Sequence, residues 1–253
     1  MTDPHRPEAS PPVKPENRWR YLPIAFLAVG LFAFFAFGLH RYIAFETLKA
    51  HRAEMLDFVG RHYVLAILLY VAGYALAIAF SIPGGVVLTV TGGFLFGLTV
   101  GTLATVVGAT LGAVGLFLAA RLAFGNVLRR KAGPTLRKME TGFRENAFHY
   151  LLVLRLVPLF PFWLVNLAAA LFGMPLSVYL LATFIGIVPG TFVYTSIGNG
   201  LGAIFDRGGA PDLSLIFDPA ILIPILGLAL LALLPIAYKK FQTRRAAHDG
   251  ESR

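Results

Sequence analysis

Apolar and polar positions in this chain are sorted into blocks. Residues 21–39, 63–80, 98–124, 175–197 and 219–238 carry almost no charge, whereas residues 1–20, 126–147 and 239–253 are polar and basic. An apolar run of about 20 residues reaches across a bilayer core. The pattern therefore predicts spans over 21–39 (a first transmembrane helix ending by 43), 98–124, 175–197 and 219–238. Residues 1–20 are proline-rich and read as a disordered tail. Between 44 and 61, Phe45, Leu48, Met55, Leu56 and Val59 recur at near-helical spacing among charges, as in an amphipathic helix suited to the interface. A second such helix is predicted after Gly133-Pro134, where Leu136, Met139 and Phe143 share a face. Residues 201–218 read as an external loop and 239–253 as a basic tail.

Two apolar stretches are interrupted. SIPGGVVLTVTGGFLFG, residues 81–97, carries Pro83, Gly84 and Gly85 at its start and Gly92, Gly93 and Gly97 further on. RLVPLFPFWLVNLAAALFG, residues 155–173, carries Pro158 and Pro161. Proline removes a backbone donor and clashes with the preceding turn. Broken backbone at membrane depth survives only where protein covers it or where it lines a wet cavity. Both stretches therefore read as re-entrant hairpins, at about 81–97 and 156–173, the second turning near Asn166 and leaving through Gly173. The plainer alternative for the second is a proline-kinked spanning helix.

The two stretches echo each other: LFG at 95–97 returns as LFG at 171–173, an offset of 76. In both, a proline-broken segment precedes the tripeptide and an apolar span follows. The distribution of Lys and Arg decides between the alternatives. Basic residues concentrate in the N-terminal tail (Arg6, Lys14, Arg18, Arg20), in 126–147 and in the C-terminal tail (Lys239, Lys240, Arg244, Arg245, Arg253). The positive-inside rule puts all three in the cytoplasm, which holds if four segments cross and each hairpin returns to its own side. The first hairpin then enters from outside and the second from the cytoplasm. The expected fold is all-α and integral to the membrane: an inverted repeat of re-entrant hairpin plus span, with flanking transmembrane and interfacial helices.

Composition agrees. Hydrophobic residues make up 57% of the 253 positions and charged residues 14%, and mean hydropathy is +0.72. The net charge of +9 lies beside apolar segments, which suits anionic headgroups better than nucleic acid. Without cysteine, disulfides, thiolate catalysis and Cys-ligated metals are excluded.

Arg121 and Arg155 stand inside apolar sequence. Intramembrane arginine is costly and tends to face a cavity or a partner, so both are candidate phosphate ligands in an inner vestibule, the planar guanidinium fork suiting phosphate. For Arg121, snorkelling to the interface is an equal alternative. No carboxylate lies within an apolar segment; Glu54 and Asp57, with His51 and His62 nearby, are the nearest candidates for a proton-linked role. Asn166 either caps broken backbone or meets substrate. There is no G-x-S-x-G, no H-E-x-x-H and no histidine deep in a span, so no enzyme, metal site or cofactor is expected. GNGLG at 198–202 follows a span rather than a strand and reads as a helix-terminal loop.

FSIPGGVVLTVTGGFLFGLTVG, GATLGAVGLFLAARLAFG and LRLVPLFPFWLVNLAAALFGMP together resemble the VTT domain of the DedA / SNARE-associated Golgi protein superfamily, over roughly residues 60–200; the domain's flanks place it within 44–200. The resemblance implies two re-entrant hairpins in inverted repeat and membrane-lipid transport: scrambling of phospholipids, or flipping of polyprenyl-phosphate carriers or proton-linked homeostasis. It maps the family's arginines onto Arg121 and Arg155. The DedA branch carries an acid beside its first Pro-Gly. Pro83-Gly84-Gly85 has none, which argues against proton coupling and points to the Golgi-protein-like branch.

The function expected is a flippase or scramblase-like transporter of phospholipid or polyprenyl phosphate. The alternatives are an ion- or proton-coupled small-solute transporter and a non-transporting membrane scaffold. Membrane lipids with anionic headgroups are the expected partners, with no nucleic acid and with homo-oligomerisation left open. The expected location is a plasma (bacterial inner) membrane, multi-pass, with both termini cytoplasmic.

Overall fold

The computed structural model describes residues 18–39, 43–131, 146–157 and 160–201, with isolated positions between 219 and 233. The tails, the basic stretch 132–145, Pro158, the 202–218 loop and most of the 219–238 span lie outside the described residues. So does the second interfacial helix predicted near Leu136.

Among the described residues the protein is all-helical. A short 3₁₀ turn leads into α1 (Leu22–Ala36), at 15 residues shorter than the span expected over 21–39, and Gly38 follows it with φ of 68°. The stretch expected as one amphipathic helix divides at His51 into α2 (Phe45–Ala50) and α3 (Arg52–Arg61). Leu48 of α2 is buried against Val90, Ile197 and Leu201. Then come α4 (Tyr63–Ala79), bent by 120° from α3, and α5 (Gly85–Lys131), which breaks at Gly97. The second half holds α6 (Ala147–Leu156), α7 (Phe162–Leu171), α8 (Leu176–Gly186) and α9 (Val188–Asn199). By length and composition, Gly85–Phe124 and Leu176–Asn199 can each cross a membrane, and α3 with α4 makes a third candidate if counted as one bent span.

Hydrogen bonds show how the chain folds back. The Tyr70 hydroxyl donates to the Leu88 carbonyl at 2.9 Å and meets Thr105 Oγ1 at 2.6 Å, while that of Tyr74 meets Thr89 Oγ1 at 2.9 Å. The Tyr74 hydroxyl also reaches the Gly85 carbonyl at 3.4 Å, while that of Tyr70 lies where a Gly92 side chain would stand, so rising from Tyr70 to Tyr74 descends the 85–96 limb toward Gly85. The chain runs along α4, turns through 80–84, returns along 85–96, reverses at Gly97 and continues from 98 beside α4. Residues 81–97 accordingly supply the tip and the return limb, and α4 is the other limb.

The second half repeats this path. It runs along α6 to Val157, resumes at Phe160, returns along α7 and reverses at 172–175 into α8. The turn expected near Asn166 is not there. Asn166 sits mid-helix and fully buried, because its side chain has partners in the interior, described below. Pro161 caps α7 at its start, so the break falls before that helix, and Gly173 closes it.

The repeated LFG tripeptide has a structural meaning. Gly97 and Gly173, its two glycines, have φ of 75° and 68° at the two reversals. At Gly173, Met174 N–H donates to the Ala169 carbonyl at 3.2 Å and Gly173 N–H to that of Ala170 at 3.3 Å, a left-handed helix cap that glycine alone adopts without strain. Gly97 combines its positive φ with ψ of 178°, a region almost closed to other residues. Gly97→Ala is expected to lower stability by about 2 kcal/mol, read as a fall in unfolding temperature of the purified chain in detergent.

The two halves run in opposite directions and exchange contacts. Tyr179 near the start of α8 donates to the Ala113 carbonyl at 3.1 Å, and Thr195 near the end of α9 meets Thr102 at 2.7 Å, so the long helices are antiparallel. The 85–96 limb lies against α9, where a Cβ at Gly93 would overlap the Thr195 carbonyl and one at Gly198 the Val90 carbonyl. In return α7 packs Val165, Ala169 and Ala170 onto Ala113, Phe117 and Ala120 of α5. Two inverted units interlock, and both tips point at the middle of the bundle.

Candidate functional site

Residues 81–86, with Val157, Phe160, Phe162 and Trp163 of the second tip, face one cavity of about 640 Å³, closed on another side by Leu31 and Phe35 of α1. Ala109 of α5 and Ile187, at the junction of α8 and α9, form part of its wall. α9 opens with Pro189 at its first turn, and Gly190, Thr191 and Tyr194 beyond it also face the space. Ser81 sits on the rim with φ of 56°, the one positive value at a non-glycine residue among the described residues. That conformation is uncommon and concentrates where function demands it.

Arg155 is the cation of this cavity. It lies in the last turn of α6, one residue from its end. Its Nη2 donates to Asn166 Oδ1 at 2.6 Å and Thr183 Oγ1 at 3.0 Å, with the Tyr179 hydroxyl at 3.4 Å. The Tyr179 hydroxyl shares its one proton between the Ala113 carbonyl and Asn166 Oδ1, the latter at 2.8 Å. The Phe162 ring covers the guanidinium carbon at 4.2 Å, an attractive cation–π geometry. Arg155 therefore draws one nitrogen's partners from α7 and α8, and no carboxylate lies against it among the described residues.

Three donors at this site have no hydrogen-bond partner among the described residues: Nε and Nη1 of Arg155 and Nδ2 of Asn166, all shielded from solvent. Leaving a buried donor unmet costs about 1–3 kcal/mol each. A charged fork beside an amide donor matches the oxygens of a phosphate or carboxylate. Chemically, the arrangement suits an anion, and no described side chain supplies one.

Arg121 is not part of it. Its Nη1 donates to the Met174 carbonyl at 3.1 Å and its guanidinium lies 5.8 Å from the centre of the Phe117 ring. It braces the 172–175 reversal, and the vestibule shared by both arginines is not formed. Asn199 occupies the matching place at the other reversal, with Oδ1 3.7 Å from where a Gly97 Cβ would stand. Arg121→Gln is therefore expected to lower stability by about 1–2 kcal/mol while leaving anion affinity unchanged, measured by thermal unfolding and ligand titration on the same preparation.

Glu54 and Asp57 are also away from the cavity. They lie exposed on α3, where Asp57 pairs with Arg61 at 2.9 Å. Of the hairpin residues, Pro83, Gly84 (φ of 112°) and Gly85 form the first tip and line the cavity. Gly92 and Gly93 lie inside the limb contacts. Sequence reasoning missed Phe162, Tyr179 and Thr183. The only available signal was Tyr179 and Thr183, four apart in an apolar helix and so on one face.

A model of the VTT domain matches residues 82–200, from the first tip to the end of α9. The "Transmembrane protein 41 homolog" of Dictyostelium discoideum is 32% identical over 199 residues, covering 78% of this chain and 58% of its own. "Transmembrane protein 41B" of Mus musculus is 30% identical over 199 residues, covering 77% and 66%, and that of Danio rerio 26% over 200 residues, covering 77% and 68%. The chain thus spans 58% and 66% of the first two relatives' lengths. No solved structure matches it.

Proposed function

This chain belongs to the VTT-domain family of membrane proteins, and from that premise we propose that it is a lipid flippase or scramblase whose phosphate-binding residue is Arg155. On this reading α4 with 85–96, and α6 with α7, are re-entrant hairpins entering from opposite faces. They bring broken backbone and a cation to one cavity at mid-depth, as inverted-repeat transporters do. The observation that carries the reading is a buried guanidinium with two unpartnered nitrogens beside an unpartnered amide. A passing phosphate would satisfy these donors once the Phe162 ring swings aside, and would leave as readily when the ring returns. No enzymatic step is needed for this.

No described carboxylate lines the cavity, which favours uncoupled movement over proton coupling. The proposed setting is a plasma (bacterial inner) membrane with both termini cytoplasmic, and anionic lipids are the proposed partners. The test is reconstitution of the full chain in liposomes carrying headgroup-labelled phospholipid, with and without an imposed pH gradient. Equilibration across the bilayer at a rate indifferent to the gradient is expected. Strict dependence on the gradient would favour a coupled transporter, and a rate equal to empty vesicles would leave a scaffold.

A further inference from the structure

Beside the Arg155 cavity lies a second hollow of about 340 Å³, between α1 and the outer surface of the first tip, lined by Leu27, Leu31, Phe80, Leu116, Trp163 and Leu167 among others. It is the more apolar of the two and carries no charge. Ser81 and the Trp163 ring nitrogen are the only polar side-chain groups on its wall, whereas the cavity carries Arg155, Thr89, Thr191 and two tyrosines. Leu31, Ser81 and Trp163 line both. The two spaces therefore meet at these three residues, a chamber that carries a cation giving onto one without a charge.

α1 is seated specifically on this groove. The Phe80 ring fits where a side chain at Gly30 would stand, and Phe26 packs on the same ring at 5.5 Å between centroids. Trp163, half-exposed at the junction, has an apolar body and one N–H, the combination that suits a boundary between wet and hydrocarbon surroundings.

We propose that this groove seats one acyl chain of the lipid whose phosphate Arg155 takes. The proposal rests on the reading of Arg155 as the phosphate ligand. A free inorganic anion would have use for the first chamber only, whereas an amphiphile matches both, and in the right order. The groove has room for part of a single hydrocarbon chain. The second chain of a diacyl lipid stays outside α1, in the bilayer.

Two radiolabelled probes separate the chambers: glycerol 3-phosphate, and oleoyl lysophosphatidic acid, which adds one acyl chain to the same phosphate. Binding is measured on the full chain in detergent. Ala28 borders the groove and Ala25 does not; both are exposed on α1, so tryptophan at either leaves the packed core untouched. Filling the groove with Ala28→Trp is expected to weaken the oleoyl probe by about tenfold, the hydrophobic contribution of a few methylenes. Glycerol 3-phosphate binding and the Ala25→Trp control should be unchanged. Wild-type affinity of Ala28→Trp for the oleoyl probe would overturn the acyl seat. So would a loss seen with geranylgeranyl phosphate alone, which would assign the groove to an isoprenoid. If Arg155→Met leaves both probes unaffected while Ala28→Trp still weakens the oleoyl one, the headgroup reading fails and the groove stands.

Discussion

Replacing Arg155 with methionine is expected to slow lipid translocation by about 100-fold, equivalent to about 3 kcal/mol of charge-assisted hydrogen bonding to a phosphate. The same change should leave the protein as stable as before, or more so. Exchanging a buried, poorly compensated charge for an apolar side chain of similar volume is often neutral or stabilising, and here it also removes two donors that have no partner among the described residues. Asn166 Oδ1 keeps the Tyr179 hydroxyl at 2.8 Å, and Thr183 Oγ1 loses only a neutral hydroxyl's share of the Arg155 contact at 3.0 Å. Arg155→Lys should recover only part of the rate, because ammonium keeps the charge and loses the planar fork. The pair of readouts is an unfolding temperature in detergent and a flip rate in liposomes. Arg155→Met protein that moves lipid at the wild-type rate would sink the mechanism.

The contact between the two halves should be the most brittle part of the fold. Gly198→Ala places a methyl group against the Val90 carbonyl, and Gly93→Ala places one against that of Thr195. Both obstacles are backbone, so no side-chain rotation relieves them. The 85–96 limb and α9 would have to part, straining the Thr102–Thr195 bond at 2.7 Å and the packing of Ile197 on Val90. Each substitution is expected to cost about 3 kcal/mol, at the upper end for overpacking. Gly73→Ala, with open space around it mid-way along α4, should instead stabilise by about 0.5–1 kcal/mol. Thermal unfolding of the three variants side by side checks this, and an unchanged melting temperature for Gly198→Ala would contradict the close approach.

Much of the architecture was legible before any coordinates. Pro83 and Gly84 mark a break because one lacks an N–H and the other tolerates φ of 112°. The LFG echo picked out both reversals, since a chain that must turn left-handed at two equivalent places uses the same residue twice. Asn166 misled for a physical reason. Asparagine favours turns when its side chain bonds its own backbone, but here that side chain bonds Arg155 and Tyr179. Neither partner is local. Arg121 misled in the same way: an arginine in an apolar helix signals a partner without saying which, and its partner is the Met174 carbonyl at 3.1 Å, 53 residues away.

By itself, then, the sequence determined what depends on neighbours along the chain: an all-helical membrane protein, two of the four segments expected to cross (98–124 and 175–197), the places where proline and glycine forbid continuation, and the presence of two arginines that need company. Only the tertiary structure decided which arginine faces the cavity, that its partners come from α7 and α8, and that α1 closes the space. Helix periodicity and breakage are set within a few residues. The company a buried charge keeps is set by how two interlocked hairpins pack, which no local pattern encodes.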